Sequence, residues 1–390
     1  MEQAQQRKVA IIVAINFARN PNFDDDLAEA LALAKSAGYT IVEVVTANRP
    51  KADASLFVGK GKAEEIKSLC ESLEPDVLII NHNISPIQER NLDRLLGTVR
   101  IVDRTQLILD IFAGRAVASE SILQIELAMQ RHLRTRLIKA DANLDQQSGR
   151  SSGLGGGAAR GPGETKLELD RRAIDDKILQ LKRKLDGVMK QRETQRKARL
   201  KSGMIALSIV GYTNAGKSTL FNALTKAKVY TEDRLFATLH TTSRHLFIDQ
   251  QHEVVLSDTV GFIRDLPHRL VAAFRATLEE TVHANILLQV VDAANPAHAR
   301  HLADVNLVLA EIQAATIPQL LVYNKIDLVT GLEPHIEYAA DGNPQAVYLS
   351  AADHRGLDLL RRAIIEKIDY QAKPKPQAMQ DLVYEPWKNR

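Results

Sequence analysis

The 390-residue sequence predicts an α/β protein with an N-terminal parallel-sheet α/β domain, a long helical hairpin that carries a glycine-rich loop, and a second α/β domain. Three observations predict this class. Short apolar runs alternate with helical patterns in the first hundred residues. Two long helical patterns then surround a glycine-rich stretch, and the alternation returns near residue 203. We therefore expect four segments, the last a proline-marked extended tail: residues 1–115, 116–201, 202–370 and 371–390.

Four apolar runs in the first segment have the pattern of buried strands. They cover residues 9–15, 40–47, 76–81 and 99–103. The intervening stretches show the apolar spacing of helices, with Asp24 and Ser85 as suitable N-caps and Gly38 and Gly97 as suitable C-terminal stops. Because strands that alternate with helices form right-handed βαβ units, we expect a parallel sheet.

The middle segment predicts an antiparallel hairpin of two helices, over residues 119–144 and from about 164 to 199. Apolar residues recur in the second helix at spacings of three, four and seven, namely Leu167, Ile174, Ile178, Leu181, Leu185 and Val188. The stretch SSGLGGGAARGPGETK (151–166) follows a helix and contains neither glycine motif typical of nucleotide binding, so we interpret it as the hairpin tip.

The charge distribution of the hairpin indicates an anionic partner. From Glu164 to Leu200 there are twelve Lys/Arg against seven Asp/Glu, although the whole chain carries a formal charge of only +3. Arg150 and Arg160, beside the glycines, can pair with phosphates of RNA. A solvated helix face is the alternative interpretation of the same charges.

Composition excludes several classes of protein. With 45% apolar and 25% charged residues the chain is typical of globular proteins. The single cysteine, Cys70, cannot form an internal disulfide, which favours a reducing, cytoplasmic location. No apolar run approaches the roughly 18 to 20 residues that span a bilayer, so we expect no integral membrane association. The histidines show no metal-ligand spacing.

A phosphate-binding loop is predicted in the third segment. The run MIALSIVGYTNAGKSTLFNAL (204–224) is an apolar strand, then G-x-x-x-x-G-K-S, then a helical pattern. Lys217 would reach the β- and γ-phosphates, and the Ser218 hydroxyl would ligate Mg²⁺. We expect nucleotide contacts from Gly211, Tyr212, Thr213, Asn214, Ala215, Gly216, Lys217, Ser218 and Thr219.

Two later strand ends predict that the base is guanine. QLLVYNKIDLV ends in a motif whose Asp327 carboxylate can accept two hydrogen bonds from guanine N1 and its 2-amino group, which adenine does not offer. The Lys325 stem can lie along the base. YLSAADHRGLDLL supplies a backbone amide for the guanine O6. We expect base contacts from Asn324, Lys325, Ile326, Asp327, Ser350, Ala351 and Ala352.

The remaining strand end, in VVLSDTVGF, belongs beside the γ-phosphate. Asp258 is placed to hold Mg²⁺ through water and the Gly261 amide to meet the γ-phosphate, with Thr259 and Val260 between them. These motifs, in this order, predict a Ras-like P-loop domain that binds GTP with Mg²⁺ and hydrolyses it to GDP and phosphate.

Phe262 stands where Ras-like GTPases have a glutamine that orients the attacking water. Phenylalanine has no hydrogen bond to offer, so we expect slow intrinsic hydrolysis, with a cation, another residue or a partner supplying the contact. Asn214 resembles the asparagine of GTPases that use K⁺ for this purpose. In the switch loop, Thr238, Thr241 and Thr242 are all candidates for contacting Mg²⁺, and composition does not choose between them.

With four further segments, these motifs resemble the HflX family of ribosome-associated GTPases, in the Obg-HflX superfamily. The resemblance extends from about residue 9 to 370, and its segments are FVGKGKAEEI (57–66), RGPGETKLELDRR (160–172), FATL (236–239) and LPHRLVAAFRATLEET (266–281). It implies binding to the large ribosomal subunit and its ribosomal RNA, GTP-favoured splitting of stalled or idle ribosomes, and a role in stress recovery.

The resemblance also assigns residues. It selects Thr238 as the switch threonine on Mg²⁺, implies ribosome-stimulated hydrolysis, and makes Lys217, Thr238 and Gly261 the catalytic residues. It adds nucleotide contacts from Phe236, Ala237, Leu239 and His240. We expect a cytoplasmic monomer whose only membrane association is a weak one through ribosomes. The alternative is a GTPase switch acting on a protein partner or in ribosome assembly.

Overall fold

Two β-sheets, each flanked by helices, confirm the predicted α/β class. The structure is a computed structural model, and it describes residues 8–148, 166–201, 204–225, 235–236, 238, 242–249, 252–264 and 275–372. The glycine-rich stretch up to residue 165, interpreted above as a hairpin tip, and the tail after residue 372 lie outside the described residues.

The N-terminal sheet is parallel, as predicted, with the strand order β2-β1-β3-β4. Its strands are β1 (Lys8–Phe17), β2 (Tyr39–Arg49), β3 (Val77–Ile80) and β4 (Arg100–Asp103). Its helices are α1 (Phe23–Ser36), α2 (Lys60–Leu73), α3 (Pro86–Leu96) and α4 (Arg104–Arg115). We call residues 8–115 the N-terminal lobe.

The helix ends test the capping predictions. Ser85 caps α3 in a capping box with Gln88, and Gly97 ends the helix, as predicted. The prediction for Asp24 was wrong, because α1 begins at Phe23 and its N-cap is Asn22. Asp24 lies in the first turn, where a carboxylate is also favourable because it meets the positive end of the helix dipole.

The two long helices are α5 (Ser119–Ser148) and α6 (Lys166–Lys201), and they pack along each other. Four of the residues in the predicted apolar spacing are buried with Leu127 of α5, namely Ile174, Ile178, Leu181 and Leu185. Glu126 pairs with Lys177 at 2.7 Å. Arg136 of α5 pairs with Asp103 at 2.9 Å, which joins the hairpin to the N-terminal lobe.

The C-terminal sheet has the strand order β10-β11-β9-β8-β5-β7-β6, and its two edge strands are antiparallel to their neighbours. Its strands are β5 (Ile205–Gly211), β6 (Thr242–Phe247), β7 (Glu253–Asp258), β8 (Ile286–Asp292), β9 (Gln319–Asn324), β10 (His335–Tyr338) and β11 (Pro344–Tyr348). Its helices are α7 (Lys217–Thr225), α8 (Arg275–Val282), α9 (His298–Glu311) and α10 (Leu357–Ala372). We call residues 204–372 the C-terminal lobe.

One hydrophobic core runs through both lobes. It contains Leu33 and Phe112 from the N-terminal lobe together with Val210, Phe236 and Phe262 from the C-terminal lobe. The two lobes are therefore packed through buried apolar surface at the end of the C-terminal sheet that carries the nucleotide motifs. Among the described helices, none combines the length and the apolar character that crossing a bilayer requires.

Candidate nucleotide site

The loop between β5 and α7 has the backbone shape of a phosphate cradle. Gly216 has a φ of +89°, and a Cβ there would lie 2.2 Å from Asn324 Nδ2, so a glycine is required. Asn214 is exposed on the loop with a φ of +61°. Lys217 follows at the start of α7 and donates through Nζ to the Tyr212 carbonyl at 2.7 Å.

The Lys217 ammonium is a fitting partner for a phosphate. Its side chain is only 6% exposed, and burial, partly offset by the Asp258 carboxylate, lowers its pKa to about 8. A buried ammonium is costly unless an anion accompanies it. An oxyanion beside Nζ would relieve that cost, so the structure suits the role that the sequence predicts for Lys217.

Three oxygens meet where the sequence predicts Mg²⁺. Asp258 Oδ2 accepts from Ser218 Oγ at 2.7 Å and from Thr238 Oγ1 at 3.1 Å, and the two hydroxyls lie 2.5 Å apart. Burial raises the pKa of Asp258. Its second oxygen, Oδ1, is buried and has no hydrogen-bond partner among the described residues.

This donor set fits Mg²⁺. The ion takes oxygen ligands, commonly one or two carboxylates, and keeps several waters. A metal-bound water can satisfy a buried carboxylate oxygen that lacks a donor, as Asp258 Oδ1 does. Of the three switch threonines that composition leaves open, the structure brings Thr238 to Ser218 and Asp258. Thr242 lies at the start of β6, and Thr241 is outside the described residues.

The guanine-side motifs are joined by Asn324. Its Nδ2 donates to the Ala215 carbonyl at 3.0 Å, and its Oδ1 accepts from the Ala351 amide at 2.9 Å. Asn324 is 2% exposed, so its side chain ties the phosphate loop to the loop after β11. The hydrogen bonds of the Asn324 side chain go to these two loops, so Asn324 holds the loops of the site in position.

The other guanine-side residues surround this bridge. Lys325 has a φ of +66° and pairs through Nζ with Asp292 Oδ2 at 2.7 Å. Asp327 is exposed in a short 3₁₀ helix, where its carboxylate is accessible to a base. Ser350 is fully buried, and its hydroxyl accepts from the Asp353 amide at 3.1 Å. The neighbouring residues are Ile326, which is buried, and Ala352, which is exposed.

The segment after β7 pairs with the phosphate loop. The Phe262 amide donates to the Gly211 carbonyl at 3.0 Å, and the Thr213 amide donates to the Phe262 carbonyl at 2.7 Å. A Cβ on Gly261 would lie 2.8 Å from Thr213 Cγ2 and 2.9 Å from Lys217 Nζ. Gly261 therefore lies against the lysine that would hold the γ-phosphate, so close that a side chain at this position would force Thr213 or Lys217 to shift.

Several predicted contact residues point elsewhere or are not described. Thr259 is buried and donates to the Ile209 carbonyl at 2.6 Å, and Val260 is buried in the core. The Phe236 ring packs edge-on against Phe112 of the N-terminal lobe, with centroids 4.6 Å apart. Ala237, Leu239 and His240 lie outside the described residues.

Sequence reasoning missed Asp292 and the contacts from the N-terminal lobe. Asp292 ends the apolar run ILLQVVD, so its position after a strand was a signal that could have indicated a place beside the nucleotide motifs. The contacts from the N-terminal lobe, such as Ser36 Oγ accepting from the Leu235 amide at 3.1 Å, leave no motif in the sequence.

Three family models match consecutive parts of the chain. The model described as GTP-binding GTPase N-terminal matches residues 24–113, and the one described as GTP-binding GTPase Middle Region matches residues 115–199. The model described as 50S ribosome-binding GTPase matches residues 206–325.

Curated relatives extend the similarity over nearly the whole chain. The GTPase HflX of Escherichia coli K12 is 47% identical over 359 residues, which are 92% of this chain and 82% of that protein. The GTPase HflX of Caldanaerobacter subterraneus is 44% identical over 364 residues, which are 93% of this chain and 81% of that protein.

A solved structure has a similar fold. The match to the crystal structure of the SsGBP and GDP complex covers 94% of this chain and all of the SsGBP chain, with a TM-score of 0.51 and 23% sequence identity. At that identity the likeness concerns the fold alone. With the identities above, and with the nucleotide motifs gathered at one end of the C-terminal sheet, the chain belongs to the HflX family of GTPases, and it binds and hydrolyses GTP.

Proposed function

We propose that this GTPase binds the large ribosomal subunit and its ribosomal RNA in the GTP-bound state and promotes the splitting and rescue of stalled or idle ribosomes under stress. The helical hairpin carries the proposal. Lys182, Arg183 and Lys184 form a consecutive exposed basic cluster on α6, in the part of the chain that matches the middle-region family model. Clustered cations on a helix bind RNA phosphates by releasing counterions.

The match of the C-terminal lobe to a family described as 50S ribosome-binding GTPase supports the same partner. We propose that the protein acts as a monomer in the cytoplasm. Within it, residues 1–115, 116–201, 202–370 and 371–390 form an N-terminal domain, a hairpin, a GTPase domain and a tail. The two sheets and the two long helices between them support the first three parts of this division, and α10 extends two residues past its last boundary, to Ala372.

Within the site, we propose that Lys217 and the Gly261 amide hold the γ-phosphate and that Asp327 reads guanine. Ser218 and Thr238 would ligate Mg²⁺, with Asp258 acting through a bound water. The ion supplies charge neutralisation of the phosphates when it is bound. Chelation of Mg²⁺ should weaken GTP binding, and binding that is indifferent to chelation would contradict this ligand set.

Hydrolysis in isolation is expected to be slow because the Phe262 ring is 2% exposed and buried in the core shared by the lobes, so it has no access to an attacking water. We propose that the ribosome stimulates the reaction. K⁺ beside Asn214, which is exposed on the phosphate loop, is a second contributor. Hydrolysis rates that are equal in K⁺ and Na⁺ would exclude the cation's contribution.

Co-sedimentation with separated ribosomal subunits tests the main proposal. The full chain is mixed with large or small subunits in the presence of GDP or a non-hydrolysable GTP analogue. We expect it to pellet with the large subunit, and more strongly with the analogue. The same assay with 70S ribosomes measures splitting, as the appearance of free subunits.

Charge reversal of the hairpin cluster provides the matched comparison. The triple variant Lys182→Glu, Arg183→Glu and Lys184→Glu should lose large-subunit binding while retaining its affinity for GTP. The control reverses three cations on other helices, Lys67, Arg94 and Arg362, and should behave as the unmodified chain does. Failure to bind the large subunit with either nucleotide would favour a GTPase acting on a protein partner.

A further inference from the structure

The peptide groups of Arg264 are held on both sides. This residue follows Phe262 by two positions, in the segment that pairs with the phosphate loop. Its amide donates to the Tyr212 hydroxyl at 2.9 Å, and its carbonyl accepts from Arg104 Nη2 at 3.1 Å. Tyr212 belongs to the phosphate loop, whereas Arg104 begins α4 of the N-terminal lobe. Both lobes therefore hold Arg264, which lies three residues after Gly261, the predicted γ-phosphate contact.

Glu29 of α1 couples these two contacts. The Tyr212 hydroxyl donates to Glu29 Oε2, and Arg104 Nη2 pairs with Glu29 Oε1 at 2.5 Å. Burial, with the neighbouring Glu29 carboxylate, raises the pKa of Tyr212, so the hydroxyl keeps the proton that it donates. Asn81 orients Arg104 by accepting from Nη1 at 2.8 Å.

This cluster is largely buried, and Glu29, Tyr212 and Arg264 line one wall of a cavity of about 340 Å³. Tyr212 is 7% exposed and Arg104 is 3% exposed, so their hydrogen bonds have little competition from water. The Tyr212 ring stacks on His301 with centroids 3.8 Å apart and planes 7° apart. The Arg264 side chain is also engaged, because its guanidinium pairs with Asp26 of α1. We call Tyr212, Arg104 and Glu29 the Arg264 clamp.

The clamp acts close to Gly261. Between Gly261 and Arg264 lie only Phe262, whose amide and carbonyl bond the phosphate loop, and Ile263, which is 1% exposed. These bonds and the Arg264 contacts restrict any shift of the Gly261 backbone away from Lys217. Mere packing of two lobes would be served by the apolar core alone. Two buried side chains, Tyr212 and Arg104, bond the peptide groups on either side of the Arg264 Cα, and Glu29 binds both of them, which indicates that the position of Arg264 matters.

We propose that Tyr212 and Arg104 are positioning residues for GTP, which hold the Arg264 peptide groups and thereby pre-organise the Gly261 amide for the γ-phosphate. The inference rests on the proposed role of Gly261. Because GDP lacks the γ-phosphate, the clamp contributes to the affinity for GTP and leaves that for GDP unchanged. The N-terminal lobe thus supplies part of the discrimination between the two nucleotides.

The test compares nucleotide affinities of the full chain and its Tyr212→Phe variant. Phenylalanine keeps the ring stacked on His301 and removes only the hydroxyl. We expect the affinity for a non-hydrolysable GTP analogue to fall by about fivefold, because the hydrogen bond to the Arg264 amide is lost. The affinity for GDP should be unchanged. Hydrogen–deuterium exchange of the peptide containing Gly261 and Arg264 should become faster in the GDP-bound variant.

Two further variants make the result decisive. Tyr338→Phe removes a surface hydroxyl that donates to Glu366 at 2.9 Å, and it should change neither affinity nor exchange. Arg104→Lys keeps a positive charge beside Glu29 but loses the fork that reaches the Arg264 carbonyl and Asn81 together, so it should reproduce the loss for the GTP analogue.

Equal losses for both nucleotides, no loss, or tighter binding of the analogue in Tyr212→Phe would overturn the proposal. Gly261→Ala tests the role of Gly261 separately from the clamp, because the added Cβ would lie 2.8 Å from Thr213 Cγ2 and 2.9 Å from Lys217 Nζ. If Gly261→Ala does not favour GDP over the analogue, the proposed role of Gly261 fails, and the clamp proposal fails with it. If Gly261→Ala does so and Tyr212→Phe does not, only the clamp proposal fails.

Discussion

The guanine side and the γ-phosphate side of the site are supported in different ways. On the guanine side, Asn324 bridges the Ala215 carbonyl and the Ala351 amide, and all three residues belong to the C-terminal lobe. On the γ-phosphate side, the Leu235 amide donates to Ser36 and the Phe236 ring packs on Phe112, and both partners belong to the N-terminal lobe.

Because of this difference, we expect the affinity for the guanine base and the preference for GTP over GDP to depend on different lobes. The base is common to GTP and GDP, and the loops that would hold it are supported within the C-terminal lobe. The phosphate loop is supported from both lobes, because Asn324 donates to the Ala215 carbonyl and Glu29 accepts from the Tyr212 hydroxyl. The loops that would meet the γ-phosphate are packed on the N-terminal lobe. A partner that displaces the N-terminal lobe would therefore change the affinity for GTP relative to GDP and leave the preference for guanine as it is.

The largest expected effect comes from Phe112, which is 1% exposed in the core shared by the lobes. Phe112→Ala leaves a cavity beside Phe236 and should lower the free energy of unfolding by about 3 to 5 kcal/mol, measured by urea denaturation. Because the cavity adjoins the switch side, the variant that remains folded should bind a GTP analogue less tightly relative to GDP.

A matched cavity on the guanine side sharpens the comparison. Leu349→Ala removes a fully buried side chain from the other core of the C-terminal lobe, beside the guanine-side residue Ser350. It should destabilise the fold by a similar amount. If both variants change the GTP-to-GDP affinity ratio alike, packing on the N-terminal lobe has no special link to the γ-phosphate.

The next effect concerns the base. Asp327→Asn replaces an acceptor of two hydrogen bonds by an amide, and hydrogen bonds to a charged group contribute about 1.5 to 3 kcal/mol. We expect the affinities for GTP and GDP to fall together by about a hundredfold, while xanthine nucleotides, which carry an oxygen in place of the 2-amino group, bind more tightly. Competition binding against all four nucleotides checks this.

An unchanged guanine preference would show that Asp327 does not read the base. A loss confined to GTP would contradict the proposed separation of the two sides, because both nucleotides carry guanine. Asp353→Asn is a suitable control, since Asp353 is an exposed carboxylate on the neighbouring loop, three residues after Ser350.

The guanine side was predictable from sequence because its motifs are local. Asn324, Asp327 and Ser350 follow apolar strands, and parallel strands bring their carboxyl ends to one edge of a sheet. The clamp was not predictable, because Tyr212 and Glu29 are 183 residues apart and no sequence motif indicates that the two residues are in contact.

The same limit explains two details of the structure that the sequence did not indicate. Phe236 was predicted as a nucleotide contact through the FATL resemblance, yet its ring packs on Phe112, a contact that depends on how the lobes dock. Asp24 was predicted as an N-cap because aspartate suits both a cap and a first turn, and local sequence does not distinguish positions two residues apart.

The smallest expected effect comes from Ser36, whose hydroxyl accepts from the Leu235 amide at 3.1 Å. Ser36→Ala removes this acceptor and should cost about 1 kcal/mol, the net contribution of one hydrogen bond. Because the bond joins α1 to the switch loop, the cost should appear as faster hydrogen exchange at Leu235 and a severalfold weaker affinity for a GTP analogue, with GDP unaffected.

Ser72→Ala, which removes an exposed hydroxyl that donates to the Leu69 carbonyl in α2, is the matched control and should change neither quantity. Weaker binding of both nucleotides in Ser36→Ala would mean that the N-terminal lobe supports the whole site, and the distinction between its two sides would have to be given up.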